Sequence, residues 1–86
     1  VKRRLPTLDL HGVEHSLAEH TIEKFLTDNF QNMPVLVITG NSAWFWEKLK
    51  QLSDKYHLGC YPEKPGIAAA WIIFTHQWKK TLDNQV

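Results

Sequence analysis

The chain alternates between short apolar runs and longer stretches in which apolar side chains recur every three or four residues. Residues 8–10 form the first run, preceded by Pro6 and closed by Gly12, and predict a short strand. From Glu14 to about Phe30 the period becomes helical. Ala18, Ile22, Phe25, Leu26 and Asn29 fall on one face, while Glu19, Glu23 and Lys24 fall away from it. Ser16-Leu17-Ala18-Glu19 has the form of a capping box, although Glu14 also fits as the opening residue. Asn32-Met33-Pro34 breaks the pattern. Val35-Leu36-Val37-Ile38 is a continuous β-branched and apolar run, as expected of a strand buried on both faces. A second helix is predicted from about Ala43 to Tyr56, with Phe45, Leu49, Leu52 and Tyr56 on one face and Asn41 or Ser42 as its cap. Gly59-Cys60-Tyr61 predicts a third strand. Residues 62–66, with two prolines and a glycine, predict a loop, and residues 67–74 a fourth strand. The remainder, polar after Trp78, is expected to form a short helical turn and a frayed tail.

The element order is β-α-β-α-β-β, which predicts an α/β fold: a two-layer α/β sandwich with a four-stranded mixed sheet. With 86 residues one domain is expected, spanning 8–76 behind a basic lead at 1–7 and ahead of a tail at 77–86. The first two strands and the helix between them form a right-handed βαβ unit, so the strands run parallel and end on one edge of the sheet. Ligands of such sheets bind outside that edge. His11 and Gly12 are therefore expected beside Thr39, Gly40 and Asn41, about thirty residues away in sequence.

Composition narrows the setting more than the chemistry. The longest apolar run, residues 67–74, is of strand length, so no membrane span is expected. The basic start Val1-Lys2-Arg3-Arg4 is not followed by an apolar stretch and does not read as a signal peptide. Cys60 is the single cysteine, which excludes an internal disulfide and a cysteine-rich zinc site and fits a cytoplasmic protein. Its side chain is expected to pack as a small hydrophobe. The net charge of +1 does not by itself announce a nucleic-acid binder. The charges are uneven, with Lys2, Arg3 and Arg4 before the first strand and Lys48, Lys50, Lys55, Lys79 and Lys80 later, so a local basic face is one reading and ordinary solvated charge the other.

Two segments carry candidate chemistry. On a strand the side chains alternate, so in Leu8-Asp9-Leu10-His11 the leucines point one way and the acid and imidazole the other. A carboxylate beside an imidazole fixes its tautomer, and such a His serves as a general acid or base near neutral pH. Gly12 permits a tight reversal and close approach of a ligand. Alternatively the pair is a polar strand end. Thr39-Gly40-Asn41-Ser42 joins a strand to a helix, where backbone amides can hold a phosphate. The alternative there is a plain helix cap, and the segment is no P-loop because Gly-Lys-Ser/Thr is missing. His11-Gly12-Val13-Glu14-His15 has the spacing of a zinc-protease motif, but a glycine after a strand does not put both His on one helix face, so the match is read as coincidental. His15 is expected near the site, and His20, His57 and His76 are not assigned a chemical task.

Taken together, Leu8-Asp9-Leu10-His11-Gly12, a helix, an apolar strand and Thr39-Gly40 resemble the Smr (small MutS-related) domain over roughly residues 8–74. Family positions fall also on Leu17 or Ile22, Ala18, Phe25 and Leu26, and the second family motif falls on residues 39–42. The resemblance implies a nucleic-acid binding domain, an endonuclease in several members, that nicks DNA or cleaves RNA. Asp9 and His11 match the residues assigned to cleavage. Gly12, Thr39, Gly40, Asn41, Ser42, Arg3, Arg4 and Trp44 are expected to bind phosphate or nucleic acid. Ser42 stands where the family carries glycine, and Trp44-Phe45-Trp46 where many relatives carry basic residues. Trp44 and Trp46 flank a core position. They could stack on bases, form a dimer contact or pack under the tail with Trp78. No tightly bound metal or cofactor is expected, though Asp9 could recruit a loosely held Mg²⁺ or Mn²⁺. The alternatives are a non-catalytic nucleic-acid binding module and a protein-interaction domain. DNA or RNA is the expected partner, no membrane is, and a protein partner or a longer parent chain is the remaining associate.

Overall fold

The structure is a computed structural model and describes residues 5–75. The basic lead with Arg3 and Arg4, and the tail with His76, Trp78, Lys79 and Lys80, lie outside the described residues. The elements run β1 (Thr7–Asp9), α1 (His15–Asp28), a 3₁₀ turn (Phe30–Asn32), β2 (Val35–Ile38), α2 (Ala43–Lys55), β3 (Leu58–Lys64) and β4 (Ile67–Thr75). This is the expected α/β order. The sheet order is β1-β2-β4-β3, with β1 parallel to β2 and the remaining pairs antiparallel, which makes the sheet mixed.

Strand alternation decides where the core sits. Val35 and Val37 of β2 face Ile73 and Trp71 across the ladder, and all four are buried. Ala18, Ile22 and Leu26 of α1 and Phe45, Leu49 and Leu52 of α2 pack on that same side. Burying a side chain of Leu or Ile size contributes about 1.5–3 kcal/mol, so this one layer supplies most of the driving force available to so small a domain. Leu36 and Ile38 point to the other side and are only partly buried. The expectation that β2 is fully buried on both faces is corrected accordingly, because both helices lie on one side of the sheet.

Several boundaries also shift. The first strand is Thr7–Asp9 rather than 8–10, although the Leu10 amide still donates to Ile38 O at 3.0 Å. Helix α1 opens after Glu14 with no side-chain cap, and Ser16 lies within the first turn, so the capping box is not formed. Asn29 ends the α1 face by donating its side-chain amide to Phe25 O at 2.8 Å. At α2 the expected cap is realised: Ser42 accepts from the Phe45 amide at 3.2 Å.

The loop expected at 62–66 shrinks to two residues. β3 continues through Pro62 to Lys64, which pairs with Ile67 across Pro65-Gly66. Pro62 is tolerated because β3 is an edge strand and a register shift falls between Pro62 and Lys64. Gly66 has φ 80°, the left-handed conformation that a turn after proline requires. Among the described residues no helix is long and apolar enough to cross a membrane.

Candidate active site

The parallel β1–β2 pair brings its two strand ends together as the order of elements requires. Beyond β1 the chain reverses through residues 10–13, closed by the Val13 amide donating to Leu10 O at 3.1 Å. Gly12 occupies the third position of this turn with φ 77°, where an L side chain would be strained, and its open side meets no atom within 4 Å. Leu10 is buried at 1% exposure and pins the turn to the core.

Asp9 and His11 do meet, but by a different route from simple strand alternation. The strand stops at Asp9, and His11 lies in the turn. Asp9 Oδ1 accepts from the His11 main-chain N–H at 2.9 Å and lies 2.7 Å from His11 Nδ1. The carboxylate thus grips one residue twice. The His11 main-chain amide, then its ring, hold the Asp9 carboxyl below the usual carboxylate range. An ionised carboxylate only accepts, so the neutral His11 ring carries its proton on Nδ1 and keeps its lone pair on Nε2. Nε2 lies 3.6 Å from the position a Cβ would take on Gly40. Both side chains stay open to solvent, His11 at 73% and Asp9 at 55% exposure, so a ligand can reach them.

The second segment divides into an inward and an outward half. Thr39 is buried, and its hydroxyl accepts from Trp71 Nε1 at 3.1 Å and donates to Gly40 O at 3.0 Å. Its main-chain amide and that of Gly40 both donate to Ala69 O, at 2.9 and 3.0 Å. The expectation that Thr39 and the Gly40 amide contact phosphate is therefore corrected: these groups are spent on holding the loop to β4. Gly40 has φ 63° and lets the chain turn past the His11 ring. The outward half starts at Asn41, which is exposed. The amides of Asn41, Ala43 and Trp44 have no partner among the described residues, as the opening turn of a helix leaves them.

Two aromatic pairs flank this loop. His15, the first residue of α1, stacks on Trp44 in the first turn of α2 with ring centroids 4.1 Å apart and 6° between planes. Trp46 stacks on Trp71 at 3.7 Å and 10°. Of the roles open to the two tryptophans, packing is the one Trp46 takes, behind the indole that holds Thr39. Among the described residues no three His, Cys, Asp or Glu are grouped to hold a metal ion.

The lysines of the helices do not make a basic face. Lys24 pairs with Asp28, Lys48 with Glu19, Lys50 with Asp54 and Lys55 with Glu23. Lys64, at the β3–β4 hairpin, has no ion pair among the described residues. With Glu63, Ile67, Ala69 and Ala70 it lines a shallow cleft of about 190 Å³, next to the carbonyl that holds the Gly40 loop. Cys60 is half-buried, and burial pushes its thiol up to about 12, which leaves it no nucleophile at neutral pH.

Sequence reasoning missed the Ala69 carbonyl, the Trp71 indole and the His15–Trp44 stack. The first two partners lie about thirty residues from Thr39 and carry no local signal; the stack was foreshadowed only by the placement of both residues near the two helix starts. Comparison with protein-family models, curated proteins and solved structures finds no match to this chain.

Proposed function

We propose that the domain is a nucleic-acid binding, Smr-like endonuclease that breaks phosphodiester bonds at the Asp9–His11 edge. The observation that supports this reading is the doubly held His11, whose Nε2 faces the Gly40 backbone at a solvent-open edge. In the proposed reaction Nε2 takes the proton from an attacking hydroxyl as that oxygen bonds to phosphorus. The bond to the leaving oxygen breaks, and the proton held on His11 passes to it. Asp9 orients the ring and stabilises the imidazolium that forms. The free amides of Asn41, Ala43 and Trp44 receive the charged phosphate oxygens, with the exposed Asn41 side chain beside them. Thr39, Gly40 and Gly12 shape the backbone around the phosphate, and Arg3 and Arg4 would add charge from the lead.

Resident metal is no part of this scheme. Asp9 Oδ2 is the carboxylate oxygen left over, and Mg²⁺ or Mn²⁺ held by one such oxygen would keep most of its water. The single cysteine and the absence of a membrane-crossing helix among the described residues are compatible with a cytoplasmic setting.

The test is incubation of the purified chain with supercoiled plasmid and with structured RNA, with and without EDTA. Nicked plasmid or discrete RNA fragments, lost in His11→Ala, are expected. Absence of any cleavage would overturn the nuclease reading, and cleavage by His11→Ala at the wild-type rate would overturn the role of the dyad. Salt-sensitive binding without turnover would point instead to a non-catalytic module.

A further inference from the structure

The His15–Trp44 pair has a shape that the cleavage scheme does not use. Its rings are parallel and in contact, and His15 is the exposed member while Trp44 is half-buried behind it. Phe45 lies 5.1 Å from the His15 centroid and 5.4 Å from that of Trp44, perpendicular to both. Were Phe45 lying over the outer face of His15, its distance to Trp44 would approach the two spacings added together. It is instead nearly equidistant, so it flanks the stack and does not cover the outer imidazole face. The Lys48 ammonium, paired with Glu19, lies over the same indole 5.6 Å from its centroid and helps to hold it in place.

The stack also stands in the right place. His15 follows His11 by four residues at the opening of α1, and the Trp44 main-chain amide is one of the free amides of the loop. The stack thus joins the first turns of α1 and α2, the two helices that follow the His11 turn and the 39–42 loop. Aromatic faces accept any base by stacking, but only a base that has left its own helix.

Resting on the nuclease reading above, we propose that the preferred substrate is single-stranded, with an unpaired base stacked on the outer face of His15 next to the phosphate at His11. Trp44 acts as the backing plate that fixes the imidazole plane. The domain then reads strandedness rather than sequence.

The test measures binding of the full chain to end-labelled twelve-nucleotide single strands, of RNA and of DNA, and to the matching blunt duplexes, by fluorescence anisotropy at low salt. Wild type is expected to bind a single strand about tenfold more tightly than its duplex. His15→Ala is expected to erase that preference, and His15→Phe, which keeps a flat ring, to restore it. Equal binding of single strand and duplex by wild type, or an undiminished preference in His15→Ala, overturns the proposal while leaving the cleavage reading in place. Failure of wild type to bind any of the four probes overturns both.

Discussion

Among the described residues two carboxylates, Asp9 and Glu23, each accept two hydrogen bonds, and they differ in what they join. At one end Asp9 holds His11, two residues away, and ties no two elements together. At the other, Glu23 of α1 accepts from Lys55 and from the Tyr56 hydroxyl at the end of α2, more than thirty residues away. The Glu23 cluster has a structural reason to exist, since it clamps one helix to the other over the shared core. The Asp9 cluster has none of that kind. It orders an exposed ring at the mouth of the sheet, and an ordered exposed imidazole is of use mainly to a ligand. The same chemistry thus reads as architecture in one place and as a candidate active site in the other.

The contrast can be broken most severely from the helix side. Leu49→Ala opens a cavity at a fully buried position between the helices and the sheet, and is expected to cost about 2–5 kcal/mol, measured by urea unfolding. Trp71→Phe is next. It removes the indole N–H from Thr39 and part of the stack with Trp46, for about 1–3 kcal/mol. Cleavage should fall with it, because the Gly40 loop loses one of its anchors to β4. Tyr56→Phe deletes one arm of the Glu23 clamp and is expected to lower the urea midpoint less than Trp71→Phe does, leaving cleavage unchanged.

The smallest effect is a pH dependence. Lys55, then Tyr56, lower the Glu23 carboxyl below its ordinary 4.5. A depressed acid contributes stability that is present above the unfolded value and is lost as pH falls through the folded one. Glu23 in turn raises Tyr56 above 10.0 and Lys55 above 10.5, so their contribution is present below those values and is lost as pH rises through the folded ones. The stability difference between wild type and Glu23→Gln should therefore be flat between these limits and shrink beyond both. A difference unchanged at acid pH would show that the clamp carries no weight.

Much of this arrangement was legible in the chain. The βαβ rule brought His11 to Gly40, and the motif brought Asp9 to His11, because both follow from local order and from the short reach of a turn. Which groups of residues 39–44 face outward was not legible. Thr39 continues the alternation of Val35 and Val37 into the core, and its fate is settled by Trp71 and Ala69, distant partners that only the folded sheet supplies. The two-residue hairpin was hidden for a related reason: prolines at 62 and 65 read as a loop until β3 is known to be an edge strand.

The most direct test of the account measures cleavage and unfolding on the same preparations of wild type, His11→Ala and Asp9→Ala. Loss of cleavage by at least about a hundredfold in His11→Ala, a smaller loss in Asp9→Ala, and unfolding midpoints no more than slightly below wild type are the predicted result. Midpoints that fall while cleavage persists would contradict it, and would make the Asp9–His11 contact a structural clamp like its counterpart at Glu23.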